Sequence, residues 1–282
     1  MNPDPALVAV TDDDLPDLDE VCDLLKQIVR DEHAAPTRAR ATKPDGSWVT
    51  DLDRRTQSRL FDALHRRWRG YGFVGEEMSH AEQVAACART DRGYWVLDPL
   101  DGTTNFTADL PFYGVSLALV VGGVARLGVV FDPARDECFS ARLGRGAHLN
   151  QRQLATSGAV ALGECIAVVD YKRLVGDLAA QLVRSPPYRS HRHLGASALE
   201  WCWLAAGRFQ LYLHGGQKLW DFAAGYLILA EAGGAATSLS GQALDCAKLR
   251  KRSVVAAANA ELLARWDGWI NANSAAVKSS PL

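Results

Sequence analysis

A mixed α/β chain of alternating sheet and helix layers is what the sequence predicts, on three observations. Apolar runs of strand length recur along the chain. Between them lie segments whose apolar residues fall at helical spacing. Two longer apolar runs flank Gly122-Gly123, the pattern of a hairpin. We expect one domain over residues 14–272, with halves of about 14–155 and 156–272 and a seam near 150–165.

Leu18, Val21, Cys22, Leu25, Ile28 and Val29 keep helical spacing, with Asp14 as cap and Pro16 in the first turn. Leu60, Phe61, Leu64 and Trp68 mark a second helix starting near Asp53. Tyr94–Leu97 reads as a buried strand. Val115–Val121 and Val124–Phe131 form the hairpin, and Glu137–Ala141 extends its sheet. Cys165–Val169 is a strand, followed by a helix through Leu174, Leu178 and Leu182, and Pro186-Pro187 breaks the chain. A helix over Ala196–Ala206 ends at Gly207, and Phe209–Leu213 is a strand. Trp220–Ala232 is apolar on nearly every face, so it reads as a buried helix closed by Gly233-Gly234. Ser253–Ala258 is the last strand, with a helix through Leu262, Leu263 and Trp266 after it. The acidic start, to about Asp14, and the tail from about Asn273 read as frayed ends.

Composition narrows the function. Lys plus Arg is 31 and Asp plus Glu 33, a net charge of −2, which argues against a dedicated nucleic-acid binder. The longest uncharged apolar stretch, Leu110–Ala125, is shorter than the ~20 residues of a spanning helix and holds Pro111 and Gly122-Gly123, so no membrane segment is expected. The N-terminus lacks a basic region followed by an apolar run, so no secretory signal is expected. Six scattered cysteines without a CxxC read as reduced thiols in a cytoplasmic protein. The sequon Asn105-Phe106-Thr107 is then coincidence.

Trp95-Val-Leu-Asp-Pro-Leu-Asp-Gly-Thr-Thr-Asn-Phe106 is the most informative run. It puts Asp98 and Asp101 at the end of a buried strand that Pro99 keeps from continuing. Gly102 permits a tight turn, and the amides of Gly102, Thr103 and Thr104 can then face an anion. Carboxylates beside such amides make chemical sense if a cation bridges them to a phosphate, and an all-oxygen donor set suits Mg²⁺. Three further acidic sites border apolar elements: Glu76-Glu77, Asp221 at the start of the buried helix, and Asp53 after Lys43-Pro-Asp-Gly-Ser-Trp-Val-Thr50. Each alone has a plain reading: a turn or cap for Asp98 and Asp101, a solvated loop for Glu76-Glu77, and a helix N-cap for Asp221 and for Asp53. Four such sites together favour one shared cation site.

These residues resemble the inositol monophosphatase family of Mg²⁺-dependent, lithium-sensitive phosphatases. WVLDPLDGTTNF, GEE and WDFAAGYLILAEAGG are similar to its signature blocks in the expected order, with GRGAHLN and HLGASAL as weaker matches. The resemblance covers about Asp14 to Trp269. It implies a layered α-β-α-β-α sandwich, commonly dimeric, acting on small phosphate monoesters. It implies that Glu76, Asp98 and the carbonyl of Leu100 hold one Mg²⁺, and Asp98, Asp101 and Asp221 a second, with Glu77 a nearby acid. Gly102 and Thr103 would bind phosphate, and Asp53 would hydrogen-bond Thr103, whose hydroxyl orients water. Gly195, Ala196, Ser197 and His214 would face the leaving group. Two cations can clamp the attacking and leaving oxygens, so no Cys, Ser or His nucleophile is required.

One departure stands out: His214 occupies the place where inositol-specific members carry Glu. With Lys218 beside it, either a substrate with a second phosphate is selected, or Lys218 faces solvent and His214 pairs with backbone. Inositol-phosphate-like substrates rank first, 3′(2′),5′-bisphosphate nucleotides second and histidinol phosphate third. A regulatory binding protein on the phosphatase fold is the alternative of another class. His191 and His193 read as surface residues, Lys172, Arg173, Arg184 and Arg192 as solvated, and Trp48 as a loop anchor or cover.

Overall fold

The computed structural model describes residues 12–35, 40–43, 46–88, 92–158, 161–174 and 176–274. Helix α1 (Leu18–Ala34) starts four residues after the cap expected at Asp14. Asp17 caps it instead, accepting from the Glu20 amide at 3.0 Å. Asp12–Asp14 form a 3₁₀ turn, and Asp12 pairs with Arg126, so this part of the acidic start is tied to the body. The ribbon β1 (Arg40–Thr42) and β2 (Trp48–Thr50) leads into α2 (Asp51–Arg67). Thr50 is the cap of α2, and Asp53 stands three residues inside it, closing a capping box at 2.5–2.8 Å; the expected start at Asp53 is two residues late.

The N-terminal sheet follows chain order: β3 (Gly72–Gly75), β4 (Tyr94–Asp101), β5 (Gly114–Val121), β6 (Val124–Asp132), β7 (Glu137–Arg142), β8 (Ala147–Leu149) and β9 (Arg152–Gln153). Only β3 and β4 pair in parallel, joined through helix α3 (His80–Ala88). The short helix α4 (Thr103–Thr107) follows β4. The second sheet is built from β10 (Ile166–Asp170), β11 (Ser190–Arg192), β12 (Leu211–Gln217), β13 (Ala235–Thr237) and β14 (Arg252–Ala257), ordered β11-β10-β12-β14-β13. Its helices are α5 (Leu178–Arg184), α6 (Ser197–Ala205), α7 (Leu219–Glu231) and α8 (Ala260–Ser274). Leu174 lies outside α5, after the turn Tyr171–Arg173, and α8 includes Asn273, which was expected in a frayed tail.

Alternation along β4 sets the layers. Trp95 and Leu97 pack with Leu25, Val29 and Leu60 of α1 and α2, whereas Tyr94 and Val96 join the larger core that includes α6 and α7. Those two helices lie between the sheets, and α5 and α8 cover the far side of the second one. The result is the five-layer α-β-α-β-α sandwich. Position explains α7: nine of its thirteen residues are buried because sheets lie on both sides.

Candidate active site

The site begins where β4 stops pairing regularly. Asp98 lies opposite Ser116 and Asp101 opposite Gly114, so three steps on β4 match two on β5. This bulge fits the sequence, since Pro99 has no amide to donate and the Leu100 amide turns to the Asp98 carboxylate at 3.0 Å. Gly102 then adopts φ +87°, and a Cβ there would lie 3.0 Å from both the Ala196 methyl and the Phe112 carbonyl oxygen. Asn105 donates to Phe112 at 2.8 Å and Leu194 at 2.7 Å, so the sequon side chain ties two loops together.

Asp53 and Asp221, expected as helix caps, lie three residues inside their helices and accept from the amides of the capping residues Thr50 and Lys218. Asp101 accepts from the Ala198 amide of α6 at 2.6 Å, and Asp221 from the Lys218 amide before α7 at 2.7 Å. Glu76 follows β3, where its own amide donates to Leu97 at 3.0 Å. Each of these aspartates turns one oxygen to backbone and keeps the other. Glu76, Asp98, Asp101 and Asp221 all line one cavity of about 580 Å³, with Leu100, Gly102 and Thr103. Burial first, then the neighbouring acids, pushes Asp98 and Asp101 well above the usual carboxylate range. Burial, with Glu76 adding to it, pushes Asp221 up to about 6.

Lys43 reaches this cluster from the β1–β2 loop, 2.9 Å from Glu76 and 2.5 Å from Glu77. Pro44 and Asp45 of that loop lie outside the described residues. Burial disfavours the Lys43 charge, yet the two glutamates outweigh it and hold the ammonium above its ordinary value. An ammonium drawn between carboxylates shows that the cluster suits a cation. Among the described residues no three Asp, Glu, His or Cys side chains are placed to hold a metal by themselves. Mg²⁺ takes oxygen ligands and shares its shell with water and phosphate, and the acids that line this cavity offer carboxylate oxygens. The donor set therefore fits Mg²⁺.

The remaining expected residues divide. Thr103 Oγ1 lies 3.3 Å from Asp53 Oδ1 and 3.0 Å from the Leu100 carbonyl, so its one proton serves one of them at a time. Asp53 is buried behind Thr103, and burial raises it, as it raises Glu77. Gly195, Ser197 and His214 line the cavity, but Ala196 is fully buried beneath Gly102. The His214 ring is committed on both sides: Nδ1 accepts from the Gly216 amide at 3.1 Å, and Nε2 lies 3.2 Å from Asp170 Oδ2. A backbone amide at Nδ1 places the ring proton on Nε2. Its backbone-paired reading is thus the one found, extended by a carboxylate that sequence reasoning missed. Lys218 does not simply face solvent: it lines the cavity, with Nζ 5.1 Å from the Trp220 ring centre.

Asp170 was legible in principle, since Val168-Val169-Asp170 ends an apolar strand as Val96-Leu97-Asp98 does. Burial opposes its ionisation, but His214 and the charges of His193 and Arg173 prevail and leave it at about 2. Lys172, Arg173 and His193 are exposed, as the reading of them as surface or solvated residues expects, and they also line the mouth of the cavity. Trp48 lines it too, with the Arg40 guanidinium 4.2 Å from its ring centre.

The five-layer sandwich with its acidic cleft is the fold of a family of phosphoric monoester hydrolases. The chain belongs to the inositol monophosphatase family, whose pattern matches residues 18–275. It is 34% identical to an inositol-1-monophosphatase of Mesorhizobium japonicum, over 71% of this chain and 75% of that protein. It is 35% identical to a putative Nus factor SuhB of Neisseria meningitidis serogroup B, over 71% and 77%. The solved IMPase of Thermotoga maritima superposes with a TM-score of 0.77 at 26% identity, over 91% of this chain and 98% of that one.

Proposed function

We propose that the protein hydrolyses a small phosphate monoester, inositol 1-phosphate among the candidates, by direct attack of water with two Mg²⁺ ions as cofactor. The observation that carries this reading is the convergence of Glu76, Asp98, Asp101 and Asp221, from three separate segments, on one cavity beside Gly102 and Thr103. Glu76, Asp98 and the Leu100 carbonyl would hold one ion, and Asp98, Asp101 and Asp221 the other. Bound there, Mg²⁺ supplies positive charge to the phosphoryl oxygens and acidifies water. The chain's own part is positioning. Gly102 and Thr103 orient the phosphate. Asp53 accepts the Thr103 proton, which leaves the Thr103 oxygen free to accept from the attacking water. Glu77 keeps Lys43 beside Glu76.

We read the chain as a cytoplasmic homodimer. The six unpaired cysteines support a reducing compartment, and among the described residues no helix is long and apolar enough to cross a membrane. The SuhB relative favours a second, regulatory reading, in which the same fold serves as a binding surface. Phosphate release separates the two. Wild type and Asp98→Asn are assayed with Mg²⁺ on inositol 1-phosphate, glycerol 2-phosphate, histidinol phosphate and adenosine 3′,5′-bisphosphate. Turnover by wild type alone supports the enzyme. No turnover on any of them, with a cellular phenotype rescued by Asp98→Asn, supports the regulatory reading.

A further inference from the structure

The outer helical layer meets the N-terminal sheet over a face that carries two thiols. Alternation along β7 turns Cys138 into the core shared with α1, and Phe139 into the core between the sheets. Ser140, two residues from Cys138, shares its side of the strand. On α1, Cys22 belongs to the buried stripe with Val21, Leu25, Ile28 and Val29, and Lys26 stands one turn further along. Helix α1 packs on β7, and the Cys22 thiol is hydrogen-bonded there to the Cys138 thiol and the Ser140 hydroxyl. Cys22 is buried but not sealed: it keeps 7% exposure beside a partly exposed Lys26 side chain. Neither cysteine lines the active-site cleft.

The pair is asymmetric. The Cys138 thiol first, then the Ser140 hydroxyl and the Lys26 charge, hold Cys22 below its ordinary value against burial. The same contact, with burial adding to it, pushes Cys138 up. Cys87, Cys165, Cys202 and Cys246 are all pushed up by burial, as thiols kept for packing are. Cys22 differs from them in having donors aimed at its sulfur, which favour the nucleophilic thiolate. A second thiol in contact with an oxidised cysteine is what converts it to a disulfide.

We propose that Cys22 and Cys138 are a peroxide-sensitive dithiol whose disulfide fastens α1 to β7. The Cys22 thiolate attacks one oxygen of hydrogen peroxide, the O–O bond breaks, and a sulfenic acid and hydroxide result. The hydroxide takes up the proton that Cys22 released. The Cys138 sulfur then attacks the Cys22 sulfur, the S–O bond breaks, and the Cys138 proton leaves with the hydroxyl as water. The two thiols lose two electrons and two protons, and the peroxide is reduced to two waters. This inference stands apart from the phosphatase reading.

The test treats reduced wild-type protein with graded hydrogen peroxide, removes the oxidant, alkylates free thiols in denaturant and maps the peptides without reductant. We expect a Cys22–Cys138 cross-linked peptide at lower peroxide than oxidation of the half-buried Cys87, and its loss on adding dithiothreitol. Because the bond closes a long stretch of chain, the oxidised protein should melt roughly 5–10 °C above the reduced one. In Cys138→Ser the cross-link should vanish and Cys22 persist as a sulfenic acid that dimedone labels, whereas Cys87→Ser should keep the cross-link. The proposal is overturned by any of three results in the wild type: both thiols still alkylated at peroxide that oxidises Cys87, a cross-link to another cysteine instead, or a cross-link formed only in urea.

Discussion

Asp170, buried, and Asp221, half-buried, line the same cavity, yet desolvation has opposite outcomes for them. Asp221 sits among Glu76, Asp98 and Asp101 and is pushed up to about 6. Asp170 sits between His214 and Arg173 and is held at about 2. One end of the cleft gathers negative charge that the described protein balances with Lys43, and the other balances its acids internally. A buried carboxylate with local partners is part of the fold, whereas a group of them short of partners is prepared for something from outside.

The largest test of this contrast is Asp98→Asn. We expect kcat/KM to fall at least ~10²–10³-fold, with metal-free stability unchanged or raised, because the substitution relieves repulsion among the acids. Turnover at the wild-type level would break the contrast at its acidic end. At the other end, Asp170→Ala should lower stability by ~1–3 kcal/mol in urea unfolding, since it strips the Nε2 proton of His214 of its acceptor. Asp221→Asn, which keeps an oxygen for the Lys218 amide, should cost little in the metal-free protein.

The two aspartates also give opposite dependences on pH. With its folded value raised to about 6 from 3.8, Asp221 keeps a proton in the folded chain that the unfolded chain has released. Its contribution to metal-free stability is therefore full below about pH 4 and is lost as pH rises through 6. Asp170 behaves inversely: its contribution is present above about pH 4 and is lost as pH falls toward 2. Because binding requires ionised ligands, calorimetric Mg²⁺ affinity should weaken as pH falls through about 6. An affinity flat from pH 8 to 5 would remove Asp221 from the ligand set. The smallest effect belongs to Arg173→Ala. This half-exposed guanidinium should be worth ~0–1 kcal/mol, and a larger loss would move the balance of Asp170 from His214 to Arg173.

Legibility followed the same divide. Asp98, Asp101, Gly102 and Thr103 stand in one contiguous run, so their chemistry could be read from neighbours in the chain. The Asp170–His214 pair is 44 residues apart in sequence and exists only because β10 and β12 run parallel in a register that places the two opposite each other. Period and spacing carry no information about such a register. Long apolar elements such as α7 and the β5–β6 hairpin were readable because burial on both sides leaves an unbroken apolar run. The short strands β1, β8, β9, β11 and β13 were not, since two or three residues are too few to show a period. Helix α3 was missed because only Gln83 is buried among its nine residues, so it has no apolar stripe.

The bulge in β4 has a consequence for insertions and deletions rather than substitutions. Residues three apart on a regular strand face opposite ways. The extra residue between Asp98 and Asp101 restores parity, so that both carboxylates reach the side where α6 and α7 lie. Deleting Pro99 or Leu100 would straighten the strand and keep the two aspartates on one face, two positions apart, whereas one more residue inserted with the bulge kept would turn one of the pair away from the other. The spacing of the two aspartates is a counting rule, and a one-residue insertion breaks it as surely as loss of a carboxylate.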